Sequence, residues 1–282
     1  MQAMMKRWLQ FLLISALMFV LSGAAAWKDI QNVVVIVLEN TSVDQAMKQP
    51  FLSELARKGA FLSNYYAVAH PSQPNYLAMV GGSTFGTRTD NNVTVKGQHI
   101  GDLLEKVGRT WKVYAEDYVG NCFLEAQKGP YVRKHTPFLS FLQVQTQPAE
   151  CSHIVNAAEF DKDRLTVNLP AYAFYVPNLN NDGHDTGAKY ADNWLSNTFS
   201  KTFSDEQIMK HALFVIVFDE DDYNGDNRVY AAFVGAGVKA GVESKHRYDH
   251  YSLLKTVEAI FQVGSLNKGD KTAEVISDIW MP

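Results

Sequence analysis

Three stretches of the chain carry apolar residues at every position: Val33–Leu38, Leu213–Phe218 and Val229–Val234. Unbroken runs of this length, rich in β-branched and aromatic residues, predict strands buried on both faces, as in a parallel sheet covered by helices. Elsewhere the apolar spacing lengthens to that of helices. It predicts helices over Val43–Lys58, with Phe51, Leu52, Leu55 and Ala56 inward, over His99–Val107, over Tyr190–Phe203 and over Tyr251–Phe261. In the last of these Leu254, Val257 and Phe261 share one stripe. Looser patterns predict strands at Phe61–Ala69, Trp111–Ala115 and Ala171–Tyr175, and a short helix over Pro74–Val80 that opens on proline. Strands alternating with helices give the expected class: α/β, a three-layer sandwich about a mostly parallel central sheet.

The rhythm weakens from Val119 to Leu169, where aromatics and both cysteines fall without clear period. This segment, 119–169, reads as a cap or insertion within a single domain spanning 27–282. The first residues read differently. Lys6 and Arg7 precede an apolar run from Leu9 to Leu21, and Ala24 and Ala26 form a cleavage-type site before Trp27. That layout predicts a signal peptide over 1–26 and a secreted or periplasmic protein. The run is shorter than the ~20 residues a bilayer-spanning helix needs, so no stable membrane insertion is expected after cleavage.

The charge is mildly acidic, −4 over 282 residues. With no block of Lys and Arg, the chain is a poor nucleic-acid binder, and no basic amphipathic stretch marks it for anionic membranes. Cys122 and Cys151 are the two cysteines. In an exported chain such a pair points to one disulfide, worth roughly 3 kcal/mol for a loop of ~30 residues; two buried thiols are the alternative.

Ligands of open α/β sheets gather beyond the carboxyl ends of the strands. The residues there are Glu39-Asn40 after the first strand, His70-Pro71-Ser72 after the second, and Glu116-Asp117 after Trp111–Ala115. Asn178 to Asp185 follow Tyr175, and Asp219-Glu220-Asp221-Asp222 follow Phe218. Adjacent carboxylates stay ionised cheaply only beside a cation. Glu39, Asn40, Asp219 and Glu220 therefore make an oxygen-rich set suited to one divalent metal ion. Read alone, each has a plainer role: Asn40 with Thr41 could cap a helix, and the acidic run could be a solvated turn. Its spacing does not match a calcium EF-loop, because Ala231 stands where the bidentate Glu belongs. Ser72 lies between a strand and a helix, where the helix N-terminus favours phosphate and a nearby metal would activate the hydroxyl. No G-x-S-x-G elbow surrounds it, which disfavours a triad esterase. His135, His184 and His250 are candidates for binding phosphoryl oxygens or moving protons.

In order along the chain, Leu38-Glu39-Asn40, His70 to Tyr76, Lys134 to Phe138, Asn180 to Asp185, Phe218-Asp219-Glu220 and His250 to Leu254 resemble the phosphoesterase family of acid phosphatases and non-specific phospholipases C. The segment Ser72-Gln73-Pro74-Asn75 with Gly81-Gly82 is also similar to the nucleophile motif of nucleotide pyrophosphatases. The resemblance implies an alkaline-phosphatase-like sheet and a metal held by Glu39, Asn40, Ser72, Asp219 and Glu220. It implies Ser72 as a nucleophile passing through phosphoserine, with His135, His184 and Asp185 as further catalytic groups. The expected substrate contacts are His70, Asn75, Asn180 and His250. The pyrophosphatases carry Asp-His where this chain has Asp219-Glu220, so one metal is expected instead of two. Tyr76 stands where sulfatases have Arg, which argues against sulfate esters. The expected activity is phosphomonoester hydrolysis, with phospholipase C chemistry on a phospholipid head group and a non-catalytic binding module as alternatives.

Overall fold

The computed structural model describes residues 27–165 and 168–282, so the expected signal peptide lies outside the described residues. The strands of the main sheet are β1 (Asn32–Leu38), β2 (Ala60–Leu62), β3 (Trp111–Ala115), β4 (Ile154–Asn156), β5 (Tyr172–Val176), β6 (Ala212–Phe218), β7 (Ala231–Gly235) and β8 (Val242–Ser244). They lie in the order β8-β2-β7-β6-β1-β5-β3-β4. All run one way except β7, which is antiparallel to both β6 and β2. The reversal has a local cause: β7 returns from β6 through residues 219–230, which form no helix of the kind that usually carries a parallel crossover.

Two of the three unbroken apolar runs form the centre of the sheet. Every residue of Val33–Leu38 and Ala212–Phe218 is buried, as expected of strands with helices on both faces. One helical layer pairs α1 (Pro50–Lys58) with α4 (Ala188–Phe203). The other packs α2 (Ser72–Gly81) on α5 (His250–Phe261), which also meets α3 (Ile100–Lys106).

Three elements differ from their sequence pattern. The helix expected over Val43–Lys58 is two pieces, Val43–Ala46 and Pro50–Lys58, because proline forces Gln49 into the extended region (ψ 136°). The strand expected over Phe61–Ala69 stops at Leu62; Tyr65–Tyr66 instead pairs with Tyr248–Asp249 in a small separate ribbon. Helix α2 begins at Ser72 itself, not at Pro74. It ends where Gly82 takes a left-handed conformation (φ +67°), and a Cβ there would meet the Asp270 carboxylate at 2.5 Å. Gly81 and Gly82 thus serve packing and helix termination.

Segment 119–169 supplies edge strand β4 and the helix Ala158–Leu165. It also carries the 3-10 turn Arg133–His135 toward the sheet. The Arg133 guanidinium holds that turn by donating to the carbonyls of Leu124, Val93 and Leu139. Cys122 and Cys151 are joined in a disulfide. Among the described residues, no helix is long and apolar enough to cross a membrane.

Candidate active site

Strands β1 and β6 run in register, with Leu38 opposite Phe218. The residues that follow, Glu39 and Asp219, therefore leave the sheet side by side at its carboxyl edge. Asn40 then turns sharply into the left-handed region (φ +54°), which Asn tolerates better than most residues. The turn lets its backbone N–H donate to Asp219 Oδ1 at 3.2 Å. Across the same edge the Thr41 N–H donates to the Glu220 carbonyl at 3.0 Å.

Helix α2, buried along its whole length, brings Ser72 to this edge. Its hydroxyl lies 3.1 Å from Glu39 Oε2 and 3.1 Å from Glu220 Oε1. One turn further on, the Tyr76 hydroxyl donates to Glu39 Oε1 at 2.7 Å. Glu39, Ser72, Asp219 and Glu220 are all essentially inaccessible to solvent. Burial, and then Asp219 and Asp182, push the Glu39 carboxyl well up; burial, and then Asp219, push Glu220 up to about 9. Burial likewise raises Asp219 to about 7, and its Oδ2 has no hydrogen-bond donor. Buried carboxylates that repel one another, one with an oxygen lacking a donor among the described residues, are compatible with a divalent cation that Glu39, Asp219 and Glu220 could hold beside Ser72.

His135 lies behind Glu39, fully buried and stacked on the Tyr76 ring at 4.9 Å. Its Nε2 is 3.1 Å from Glu39 Oε1 and its Nδ1 is 3.2 Å from Asp182 Oδ2. Both His135 nitrogens face protein carboxylates and neither reaches solvent, an arrangement suited to positioning Glu39. Glu39, His135 and Asp182 also form a group whose ligand atoms could hold a metal. Asp182 did not stand out from its neighbours in the sequence. The only signal was its place in the polar run beyond β5, and burial pushes its carboxyl up to about 7.

His70 is part-exposed, with Nδ1 2.6 Å from Glu220 Oε2 and its ring stacked on Tyr223 at 4.1 Å. His184 is also part-exposed and pairs with Asp185 through Nδ1 at 2.7 Å. Its Nε2 lies 3.5 Å from Lys134 Nζ. Lys134 carries no signal of its own in the sequence beyond its place in the segment Lys134 to Phe138, because a lysine beside a histidine is unremarkable. Its Nζ is held at 2.7 Å by Asp90 Oδ2, while Asp90 Oδ1 accepts from the Gln73 N–H at the start of α2. Burial works against its charge, but the Asp90 bond and the charges of Glu39 and Asp219 push its pKa up.

Two of the expected substrate contacts, Asn75 and His250, have side chains already engaged by the protein, and the expected contact Asn180 is exposed. The Asn75 amide is fully engaged by backbone: Oδ1 accepts from the N–H groups of Val68 and Ala69, and Nδ2 donates to the carbonyls of Ala69 and Pro71. It shapes the loop that precedes Ser72. His250 is buried, with Nδ1 3.0 Å from the Tyr65 hydroxyl and Nε2 2.6 Å from the Asp219 carbonyl. It braces the Asp219 backbone and has no free face. Asn180 sits in an exposed turn, its N–H donating to Asn178 Oδ1 and its carbonyl accepting from Thr186.

The sequence pattern that defines the Phosphoesterase family matches residues 45–264. The chain belongs to that family. It is 35% identical over 255 residues to a probable acid phosphatase of Kluyveromyces lactis, and 35% identical over 252 residues to a phosphate-repressible acid phosphatase of Penicillium chrysogenum. Each match covers 86% of this chain but 61% of the relative, so the chain spans about three-fifths of the length of these fungal proteins. A phosphatidylinositol-3-phosphatase of Mycobacterium tuberculosis is 34% identical over 267 residues, covering 92% of this chain and 85% of its own. Among solved structures, an alkaline phosphatase superfamily protein of Vibrio parahaemolyticus superposes with a TM-score of 0.60 at 14% identity, covering 86% of this chain and 70% of its own. The soluble domain of a Neisseria meningitidis lipooligosaccharide phosphoethanolamine transferase gives 0.54 at 10% identity, covering 90% and 94%. These last two similarities establish an alkaline-phosphatase-like fold.

Proposed function

We propose that the chain is an exported, metal-dependent hydrolase of phosphate esters that works through a phosphoserine on Ser72, with phosphomonoesters as substrates. The observation that carries this reading is the Ser72 hydroxyl, held 3.1 Å from each of two buried carboxylates at the carboxyl edge of the sheet. When bound by Glu39, Asn40, Asp219 and Glu220, a divalent cation supplies positive charge that lowers the pKa of the hydroxyl and offsets the charge of the phosphoryl group.

Ser72 Oγ attacks phosphorus in line as its proton passes to a neighbouring carboxylate, Glu39 or Glu220. The ester P–O bond breaks and the alcohol departs with a proton supplied from His184, whose imidazole Asp185 orients. Water then attacks the phosphoserine, giving a proton back to His184; the bond from phosphorus to Oγ breaks, and Ser72 recovers its proton from the carboxylate that took it. Lys134, His70 and His184 are the cationic or polar groups around the opening that can meet phosphoryl oxygens, while Asp90 holds Lys134 in place. Tyr76, His135 and Asp182 fix Glu39 from behind, as outer-shell partners fix metal ligands elsewhere.

Small phosphate monoesters and phosphoinositide head groups are both candidate substrates, the latter prompted by the name of the mycobacterial relative. Ser72→Ala should leave the circular dichroism spectrum unchanged and lower turnover of p-nitrophenyl phosphate by several powers of ten, or ~4–8 kcal/mol. Retained turnover would move the nucleophile elsewhere. Hydrolysis of phosphatidylcholine in preference to p-nitrophenyl phosphate would instead favour the phospholipase C reading. Absence of turnover with any divalent cation would favour a binding module. Export is tested by N-terminal sequencing of the protein recovered outside the cytoplasm, which should begin at Trp27.

A further inference from the structure

At the opposite, amino-terminal edge of the sheet, beside Trp111 at the start of β3, three side chains from separate elements converge. Glu105 comes from α3, Glu150 from the short helix Pro148–Cys151, and His153 from the turn before β4. One ligand atom from each lies within 4.8 Å of the others. We propose that these three residues form a divalent-cation site, with zinc its best-suited occupant, that ties α3 and the disulfide-bearing segment to the sheet edge.

The assignment rests on which atoms face each other. His153 Nδ1 lies 3.0 Å from the Trp111 carbonyl, which can only accept, so Nδ1 carries a proton. In the neutral ring Nε2 is then a bare lone pair. It points toward Glu105 Oε1 at 3.3 Å, an ion-pair distance without hydrogen-bond alignment. That oxygen already accepts from Trp111 Nε1 at 2.7 Å. Glu150 supplies the third ligand atom, and its Oε2 is buried without a donor among the described residues. With the ring neutral, electron pairs of an imidazole and two carboxylates thus converge, and among the described residues Trp111 Nε1 alone donates to the group, at Glu105 Oε1. A histidine whose Nδ1 is fixed by a backbone carbonyl and whose Nε2 is free is the usual arrangement of a metal ligand and its outer support. Nitrogen with carboxylate oxygen suits zinc better than magnesium or calcium, and a water can supply a fourth ligand.

This site is independent of the catalytic reading, since none of its residues touches Ser72 or the acids around it. The full mature chain, stripped of metal and titrated with Zn²⁺ alone, should bind one equivalent that is lost in His153→Gln and again in Glu150→Gln. Both variants should keep p-nitrophenyl phosphate turnover unchanged. Zn²⁺ should also raise the melting temperature of the parent by several degrees, with that rise at least halved in each variant. Glu220→Gln, at the other edge, should keep this equivalent. Equal zinc stoichiometry in the parent, His153→Gln and Glu150→Gln would overturn the proposal. So would a parent whose bound zinc disappears entirely on Glu220→Gln. Should His153→Gln fail to fold, Glu150→Gln, on a surface helix, decides the matter alone.

Discussion

At the scale of single residues, the site shows how a side chain can matter without touching substrate. Tyr76 replaces the arginine that a sulfatase would carry, and its hydroxyl is directed onto Glu39 at 2.7 Å while its ring supports His135. Tyr76→Phe keeps the ring and removes only the donor. A metal ligand deprived of such a partner typically loses 10–100-fold in metal affinity or activity. The divalent cation concentration for half-maximal turnover should rise about tenfold or more, with thermal stability little changed; an unchanged cation requirement would show that the hydroxyl does not orient Glu39. The sequence already showed Glu39, Ser72, Asp219 and Glu220, because each is a polar residue following directly on an apolar run or heading a helix. It did not reveal that Asn75 and His250 turn toward backbone. A buried amide beside a loop with free N–H groups is captured by them, and that capture depends on the path of the loop, which spacing alone does not describe.

At the scale of elements, α5 carries a polar residue on its buried side. Glu258 is almost fully enclosed and faces Asp270, with Lys255 Nζ 3.4 Å away and the Leu266 N–H donating to it at 3.2 Å. Burial, and then Asp270, push its carboxyl up to about 7. Asp270 moves the other way: burial opposes ionisation, but hydrogen bonds from Ser265 and the Lys268 N–H hold it below the usual carboxylate range. A carboxyl whose folded pKa exceeds its unfolded one is more protonated when folded, so its contribution falls as pH rises between the two values. Glu258 should therefore erode stability from pH ~4.5 to ~7. Glu258→Gln retains an N–H to donate to Asp270 and removes the charge. It should stabilise the fold near neutral pH by on the order of 1 kcal/mol and flatten the fall in melting temperature across that window. Equal pH slopes in both proteins would assign the dependence to other groups.

At the scale of the molecule, what was legible follows from burial. Strands β1 and β6 lie at the centre of the sheet, so they must be apolar on both faces and they announce themselves. The edge strands β4 and β8 are three residues each and half exposed, and they carry no comparable pattern. The described part of segment 119–169 likewise carries little periodicity. Its order comes from tertiary anchors, Arg133 on three carbonyls and the Cys122–Cys151 bond, instead of from periodicity.

This dependence makes the disulfide a test of how the segment is held. The bond closes a loop across 29 positions, and inside that loop lies the turn bearing Lys134 and His135. Replacing both cysteines with serine frees the denatured chain and should cost about 2–4 kcal/mol of stability. The chain-entropy effect acts on the unfolded state, whereas Arg133 and the Asp90–Lys134 pair act on the folded one and survive the substitution. Turnover per folded molecule should therefore stay within about twofold at temperatures well below the new midpoint, because a shift of that size needs only ~0.4 kcal/mol at the transition state. Chemical denaturation would measure the first quantity and initial rates the second. A large fall in turnover with the fold intact would mean that the disulfide, and not the arginine anchor, sets the position of Lys134 and His135.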